Sequence, residues 1–261
     1  MKKILMVIAM SFAVFAHAQQ PIKVYAAGSL RSAMNELATS YAAMKVEAEY
    51  GASGLLRDRI AKGERPEVFA SADMANPFSL EKIGLAGPVK RFARNRLCAL
   101  AAPGVKVDSA SLLERMLDPA IKLGTSTPKA DPSGDYAWQL FEKAERVRPG
   151  AYATLSGKAR KLTGGPDSPP PPKGRNAYGA LLAEGKADIF LAYCTGAREA
   201  KNENEALQIV QIPETLSVSA DYGMVLVHDS REEAWYFVQF VLSPRGQAIL
   251  AKYGFSPGEA K

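Results

Sequence analysis

IKVYAAGSL, residues 22–30, is the stretch that decides how this chain folds. A β-type run ends here in a small-residue turn, and a helix-type run begins at Leu30. Gly28 permits close backbone approach, and Ser29 can cap a helix with its hydroxyl. Because the unpaired N–H groups of a helix start favour negative charge, the turn is either a candidate anion site or an ordinary helix cap.

The same order of elements recurs along the chain. A β-type run leads into GASG, residues 51–54, and then into a helix-type run at 55–62. This repetition favours an anion site, with Ser29 and Ser53 as its first candidates. Helix-type runs such as 152–163 and 231–250 alternate with β-type runs, which predicts an α/β fold with largely parallel sheets. The β-type runs lie at 22–26, 46–50, 68–70, 97–101, 121–124, 189–193, 206–211 and 224–227.

The first 18 residues have the pattern of a secretory signal peptide. Lys2 and Lys3 precede an apolar run at 4–15, and the small-x-small pattern at 16–18 predicts cleavage after Ala18. The apolar run is shorter than the roughly 20 residues that a membrane-spanning helix needs. We therefore expect an exported protein, released either into the periplasm or outside the cell.

The composition limits the classes of function. Without Lys2 and Lys3 the net charge of +6 falls to +4, and no block of basic residues is interleaved with aromatic ones. This pattern argues against a nucleic-acid-binding protein. The remaining chain of about 240 residues is long enough for one large domain or for two lobes.

Two cysteines, Cys98 and Cys194, leave two interpretations open. An exported protein folds in an oxidising compartment, which permits a disulfide. Each cysteine also lies at an apolar β-type run, which is as typical of two buried free thiols.

Residues that could support catalysis are scarce. After removal of the signal peptide the only histidine is His228, and no G-x-S-x-G motif accompanies a serine. The cysteines and histidines cannot supply a zinc cluster, and Gly54 is followed by Leu55 and Leu56, which do not complete a phosphate loop. The sequence favours binding over turnover, without a metal or cofactor. An exported enzyme acting on a phosphate- or sulfate-bearing substrate is the alternative.

Two further segments could contribute to an anion site. One leads into a helix-type run, where Asp131 or Ser133 would be the cap and the Ser133 amide could face a ligand. The other, KGRN at 173–176, precedes another helix-type run, and Tyr193 ends a strand, where ligands bind in open α/β sheets. The four prolines 169–172 form either a stiff surface connector or a rim that closes over a ligand.

With these residues assembled, the chain resembles the periplasmic molybdate-binding proteins, which are solute receptors of oxyanion importers of the ATP-binding-cassette type. The resemblance covers essentially the whole chain after the signal peptide. Its landmarks are VYAAGSL at 24–30, SGL at 53–55, PEVFASAD at 66–73, PSGDYA at 132–137 and YGF at 253–255.

The resemblance implies the two-lobed fold of type II periplasmic binding proteins, in which each lobe is a mostly parallel sheet flanked by helices. Lobe one would comprise residues 20–93 and 222–261, and lobe two residues 94–221. Two crossings near 92–95 and 220–223 would form the hinge on which ligand closes the lobes.

The resemblance also implies a site of neutral donors around a tetrahedral dianion, molybdate or tungstate. The donors would be Ser29, Ser53, the Ser133 amide, the Tyr193 hydroxyl and a backbone amide near Arg175 or Asn176. Because Arg175 stands where the family usually has an uncharged residue, sulfate, phosphate or a small organic anion stays open as the ligand. The implied partner is a membrane permease, and we expect a monomer.

Overall fold

The first half of the sheet is built around β1 (Ile22–Ala27). The computed structural model describes residues 20–170, 172 and 174–258, so the predicted signal peptide lies outside the described residues. β1 pairs in parallel with β2 (Val46–Gly51) and with β3 (Val68–Ala70). Parallel neighbours need crossover connections, which helices supply. The helices that follow these strands are α1 (Arg31–Ser40), α2 (Ser53–Ala61) and α3 (Ala75–Lys82).

Two long antiparallel strands cross the middle of the sheet. β4 (Lys90–Ala101) pairs with β9 (Ser219–Leu226), which also pairs with β3. The last part of β4 pairs with β7 (Ile189–Tyr193) and with β8 (Gln208–Gln211). β4 therefore joins both halves of the sheet, and the segments expected to form the hinge lie within β4 and β9. The division into lobes stays a prediction.

The second half of the sheet is again parallel. β5 (Leu123–Ser126) pairs with β6 (Arg160–Thr163) and with β7. The strand order is β2-β1-β3-β9-β4-β7-β5-β6, and β8 and β10 (Ser256–Pro257) attach to β4. The remaining helices are α4 (Leu112–Leu117), α5 (Pro132–Val147), α6 (Ala151–Lys158), α7 (Ala177–Ala183), α8 (Cys194–Glu203), α9 (Glu232–Leu242) and α10 (Pro244–Lys252).

Aromatic side chains fill the core where β4, β7 and β9 meet. Tyr193 and Tyr222 are almost fully buried, with their ring centroids 5.5 Å apart, and Phe92 packs edge-on against Tyr222. Next to this cluster, Cys98 on β4 forms a disulfide with Cys194 at the start of α8. The disulfide decides between the two interpretations of the cysteines and fixes the residue that directly follows Tyr193.

The α/β fold predicted from the alternating runs is confirmed, and it also contains the antiparallel strands β4 and β9. The predicted helix at 152–163 is wrong over its last residues, because α6 ends at Lys158 and residues 160–163 pair with β5 as a strand. Helix α8 was not predicted. Within the described part of the chain, no helix combines the length and the hydrophobicity that crossing a bilayer requires.

Candidate functional site

The two small-residue turns meet at one edge of the sheet. β1 and β2 are in register up to the pair Ala27 and Gly51, so the turns after them lie side by side. Ser29 lies in a short 3-10 helix, and Ser53 is the first residue of α2. Neither helix start has a side-chain cap, so the first amides of both helices are not bound by a capping side chain.

A cleft of about 900 Å³ opens over these turns. Residues from both halves of the sheet line this cleft. Four of the five predicted site residues line it: Ser29, Ser53, Arg175 and Tyr193. Ser133 is fully buried and is not part of the lining.

Ser29 belongs to a buried hydrogen-bond network. Its Oγ lies 2.9 Å from the Tyr222 hydroxyl, and either group could donate. The side-chain amide of Asn95 donates to the Tyr222 hydroxyl at 3.3 Å and to Thr195 Oγ1 at 2.9 Å. None of these three partners is expected from the sequence. Their spacing along the chain gives no signal, because Asn95 lies on β4, Tyr222 on β9 and Thr195 at the start of α8, and only the folded sheet brings them together.

Ser53 faces the cleft with a free donor. Its Oγ accepts a hydrogen bond from the Ala72 amide at 3.1 Å, so its own proton remains for a ligand. The next amide, that of Gly54, donates to the Ala130 carbonyl in the loop before α5 at 2.9 Å. A Cβ on Gly54 would lie 2.5 Å from the Lys129 carbonyl oxygen, so only glycine permits this approach of α2 to the loop before α5.

Tyr193 closes the cleft from the opposite side. Its hydroxyl donates to the Ala72 carbonyl at 3.3 Å, a long hydrogen bond that a ligand could replace. Burial, with Tyr222 beside it, holds the pKa of Tyr193 well above its usual value. The hydroxyl therefore keeps its proton and acts as a neutral donor.

The Ser133 amide is already hydrogen-bonded within the chain. Asp131 caps α5 and accepts from this amide at 3.1 Å through Oδ1. The hydroxyls of Ser126 and Ser133 are buried, and neither has a hydrogen-bonding partner among the described residues. Such groups indicate a water or ligand nearby, since buried polar atoms rarely stay unpaired.

The second predicted backbone donor is occupied in the same way. The Asn176 amide donates to Glu203 at 2.8 Å, and the Arg175 side chain forms an ion pair with the same carboxylate at 3.4 Å. Asn176 itself caps α7 through its side chain. The Arg175 amide, the other alternative, donates to the Pro172 carbonyl at 3.1 Å. The Ser133 and Asn176 amides thus face carboxylates of the chain, while the hydroxyls of Ser29 and Ser53 are hydrogen-bonded to no carboxylate among the described residues. Their role in binding stays a prediction.

The proline segment forms part of the cleft wall. Pro169, Pro170 and Pro172 line the cleft together with the glycines on either side, Gly164, Gly165 and Gly174. This placement agrees with a rim over a ligand better than with a connector that lies away from the site. Pro171 lies outside the described residues.

Charged groups stand at the wall of the cleft. Arg31 and Arg198 line it, and the Arg31 guanidinium packs 4.4 Å from the centre of the Tyr50 ring. Glu199 and Asp131 also line it, and burial raises the pKa of both carboxyls. No group of three potential metal ligands occurs among the residues that the structure describes.

Known proteins resemble this chain over most of its length. A family model described as bacterial extracellular solute-binding protein matches residues 22–256. An uncharacterized protein of Pasteurella multocida is 34% identical over 242 residues, which cover 90% of this chain and 98% of that protein. The molybdate-binding protein of Escherichia coli is 25% identical over 264 residues, 95% of each chain. The sulfate-binding protein of Mycobacterium tuberculosis has a similar fold, with a TM-score of 0.74 at 18% identity, covering 92% of this chain and 87% of its own.

Proposed function

Because this chain belongs to the bacterial extracellular solute-binding proteins, we propose that it is a periplasmic receptor for a tetrahedral oxyanion, with molybdate as the first ligand and tungstate as the second. It captures the anion between two lobes and delivers it to the membrane permease of an ATP-binding-cassette importer. The family is one of binding proteins, and we propose no enzymatic reaction for the cleft.

One observation carries this proposal. Ser29 and Ser53 stand side by side at uncapped helix starts, and Tyr193 faces them across the cleft with a protonated hydroxyl. Converging O–H and N–H groups can hold a dianion without a counter-ion, since hydrogen bonds to a charged group contribute roughly 1.5 to 3 kcal/mol each. A cage of fixed radius also discriminates by size, so sulfate would leave the donors of a molybdate cage poorly paired.

The cleft volume favours a second candidate ligand, a small organic anion. About 900 Å³ is within the range of pockets that hold small organic molecules, and it exceeds what a bare oxyanion fills. Arg31 and Arg198 on the wall could bind a second acidic group of such a ligand.

Calorimetric titration of ligand-stripped protein lacking residues 1–18 tests the proposal. We expect tight one-to-one binding of molybdate and tungstate and much weaker binding of sulfate and phosphate. Tight binding of sulfate alone would overturn the choice of molybdate. The absence of heat with all four anions would overturn the oxyanion receptor and favour the organic anion.

A further inference from the structure

A carboxyl group lies inside the cleft that is expected to bind an anion. Asp131 lines the cleft, and its side chain lies between the start of α5 and the turn at Gly164. Its Oδ1 accepts from the Ser133 amide at 3.1 Å. Its Oδ2 lies against Gly164, where a Cβ would be 2.5 Å from that oxygen. Gly164 has a φ of 75°, so the turn that admits the carboxyl depends on glycine.

Asp131 lies next to the Ser53 side of the cleft. The preceding residue, Ala130, accepts the Gly54 amide at 2.9 Å, and Gly54 directly follows Ser53. An anion held by Ser53 is therefore close to the Asp131 carboxyl. The Ser126 hydroxyl is fully buried, does not line the cleft, and lowers the pKa of the same carboxyl. This part of the cleft wall thus holds an acid with a hydroxyl beside it.

The groups that face Asp131 disfavour its charged form. Asp135 on α5 and Asp73 after β3 add negative charge, and the hydroxyls of Tyr178 on α7 and Tyr193 on β7 also interact with it. Burial raises the pKa of Asp131 to about 6, with a smaller contribution from these two carboxylates, although the Ser133 amide and the Ser126 hydroxyl act in the opposite direction. The ligand-free protein therefore has Asp131 mostly ionised at pH 8 and mostly protonated below pH 6.

An ionised Asp131 would repel a dianion in the same cleft, whereas a protonated one can donate to it. We propose that Asp131 takes up one proton when a fully deprotonated tetrahedral anion binds, and that its O–H then donates a hydrogen bond to an oxygen of the anion. The proton comes from solvent and no other bond forms or breaks. This inference rests on the proposed function, because it requires an oxyanion in the cleft.

The direction of the pH dependence follows from this linkage. A bound dianion favours the protonated carboxyl, so affinity is highest below the pKa of the free protein and falls as pH rises above it. If only the protonated form binds, the affinity for sulfate or molybdate drops on the order of 100-fold between pH 5.5 and pH 8. The reason is that at pH 8 only about 1% of the protein has Asp131 protonated and can bind the anion.

Calorimetry over this pH range, in buffers that differ in their heat of ionisation, measures both the affinity and the protons taken up. We expect uptake of about one proton at pH 8 in the unaltered protein. In Asp131→Asn the side-chain amide still accepts from Ser133 and donates permanently toward the cleft. This variant should bind without proton uptake and with less than about a threefold change in affinity over the same range.

Two matched controls separate Asp131 from other acids. Asp135→Asn removes the same charge from the same helix outside the cleft lining, and Glu199→Gln removes the other carboxyl on the cleft wall. Both should keep the steep pH dependence, and because Asp135 raises the pKa of Asp131, the midpoint should move to lower pH in Asp135→Asn.

Binding of an anion without proton uptake, or an unchanged pH dependence in Asp131→Asn, would overturn the inference and leave the receptor function intact. If sulfate binds and molybdate does not, only the choice of molybdate fails, and sulfate serves for the proton measurement. If no oxyanion binds at any pH, both proposals fail.

Discussion

Ser29 and Ser53 are the residues on which the binding proposal depends. Replacing either with alanine removes a hydroxyl donor and should weaken anion binding by about 1 to 3 kcal/mol. The fold should stay intact, although Ser53→Ala leaves the Ala72 amide without its partner and Ser29→Ala removes the bond to Tyr222, so we expect the free energy of unfolding to fall by about 1 kcal/mol. Titration of each variant beside Ser156→Ala, whose hydroxyl bonds within α6, measures the effect. Unchanged affinity in both cleft variants would remove these serines from the site.

A substitution of Tyr193 tests the donor on the opposite wall of the cleft. Tyr193→Phe keeps the ring packed between Tyr136 and Tyr222 and removes only the hydroxyl. Because the lost bond to Ala72 is long, we expect nearly unchanged stability and a loss of about 1 to 2 kcal/mol in anion binding. A large fall in stability with unchanged affinity would assign the hydroxyl to the core alone.

The sequence predicted the donors at Ser29 and Ser53 because each lies in a small-residue turn between a β-type run and a helix-type run. It placed Asp131 or Ser133 at the cap of α5, and the structure selects Asp131. It could not identify Tyr222 or Asn95 as neighbours of Ser29, because long-range strand pairing creates those contacts. Nor could local pattern show that the amides of Ser133 and Asn176 already face carboxylates.

At the scale of elements, short strands were the hardest to predict. The residues of β6 continue a helix-type run, and only their pairing with β5 makes them a strand. Strand preference depends strongly on such neighbours. β9 was predicted at 224–227 and begins at Ser219, since its first residues are recruited by pairing with β4.

The contact between α2 and the loop before α5 gives an element-scale prediction. Gly54→Ala places a Cβ 2.5 Å from a carbonyl oxygen, so the two elements must separate. We expect weaker anion binding and a loss of about 1 to 3 kcal/mol in stability, the usual effect of overpacking. Gly157→Ala in α6 is the matched control. A Cβ there meets nothing within 4 Å, and the change should stabilise by up to about 1 kcal/mol. Equal effects of the two changes on binding and unfolding would contradict the account.

For the whole molecule, the disulfide ties β4 to α8 across a separation of 96 residues. Closing so long a loop should stabilise the fold by about 4.7 kcal/mol through the entropy of the unfolded chain. We therefore expect the double variant Cys98→Ser with Cys194→Ser to unfold at a clearly lower denaturant concentration. A reducing agent should destabilise the unaltered protein and leave the variant unchanged. Identical unfolding midpoints for the two proteins would show that the disulfide adds no stability.

The central claim concerns the whole molecule as well, because it requires one anion to contact both halves of the sheet. The most direct test is a crystal structure of the protein with tungstate, using the anomalous signal of tungsten to locate the ion. We predict one strong peak in the cleft, within hydrogen-bonding reach of Ser29, Ser53 and Tyr193 through the tungstate oxygens. A peak elsewhere, or an empty cleft at saturating tungstate, would contradict this account.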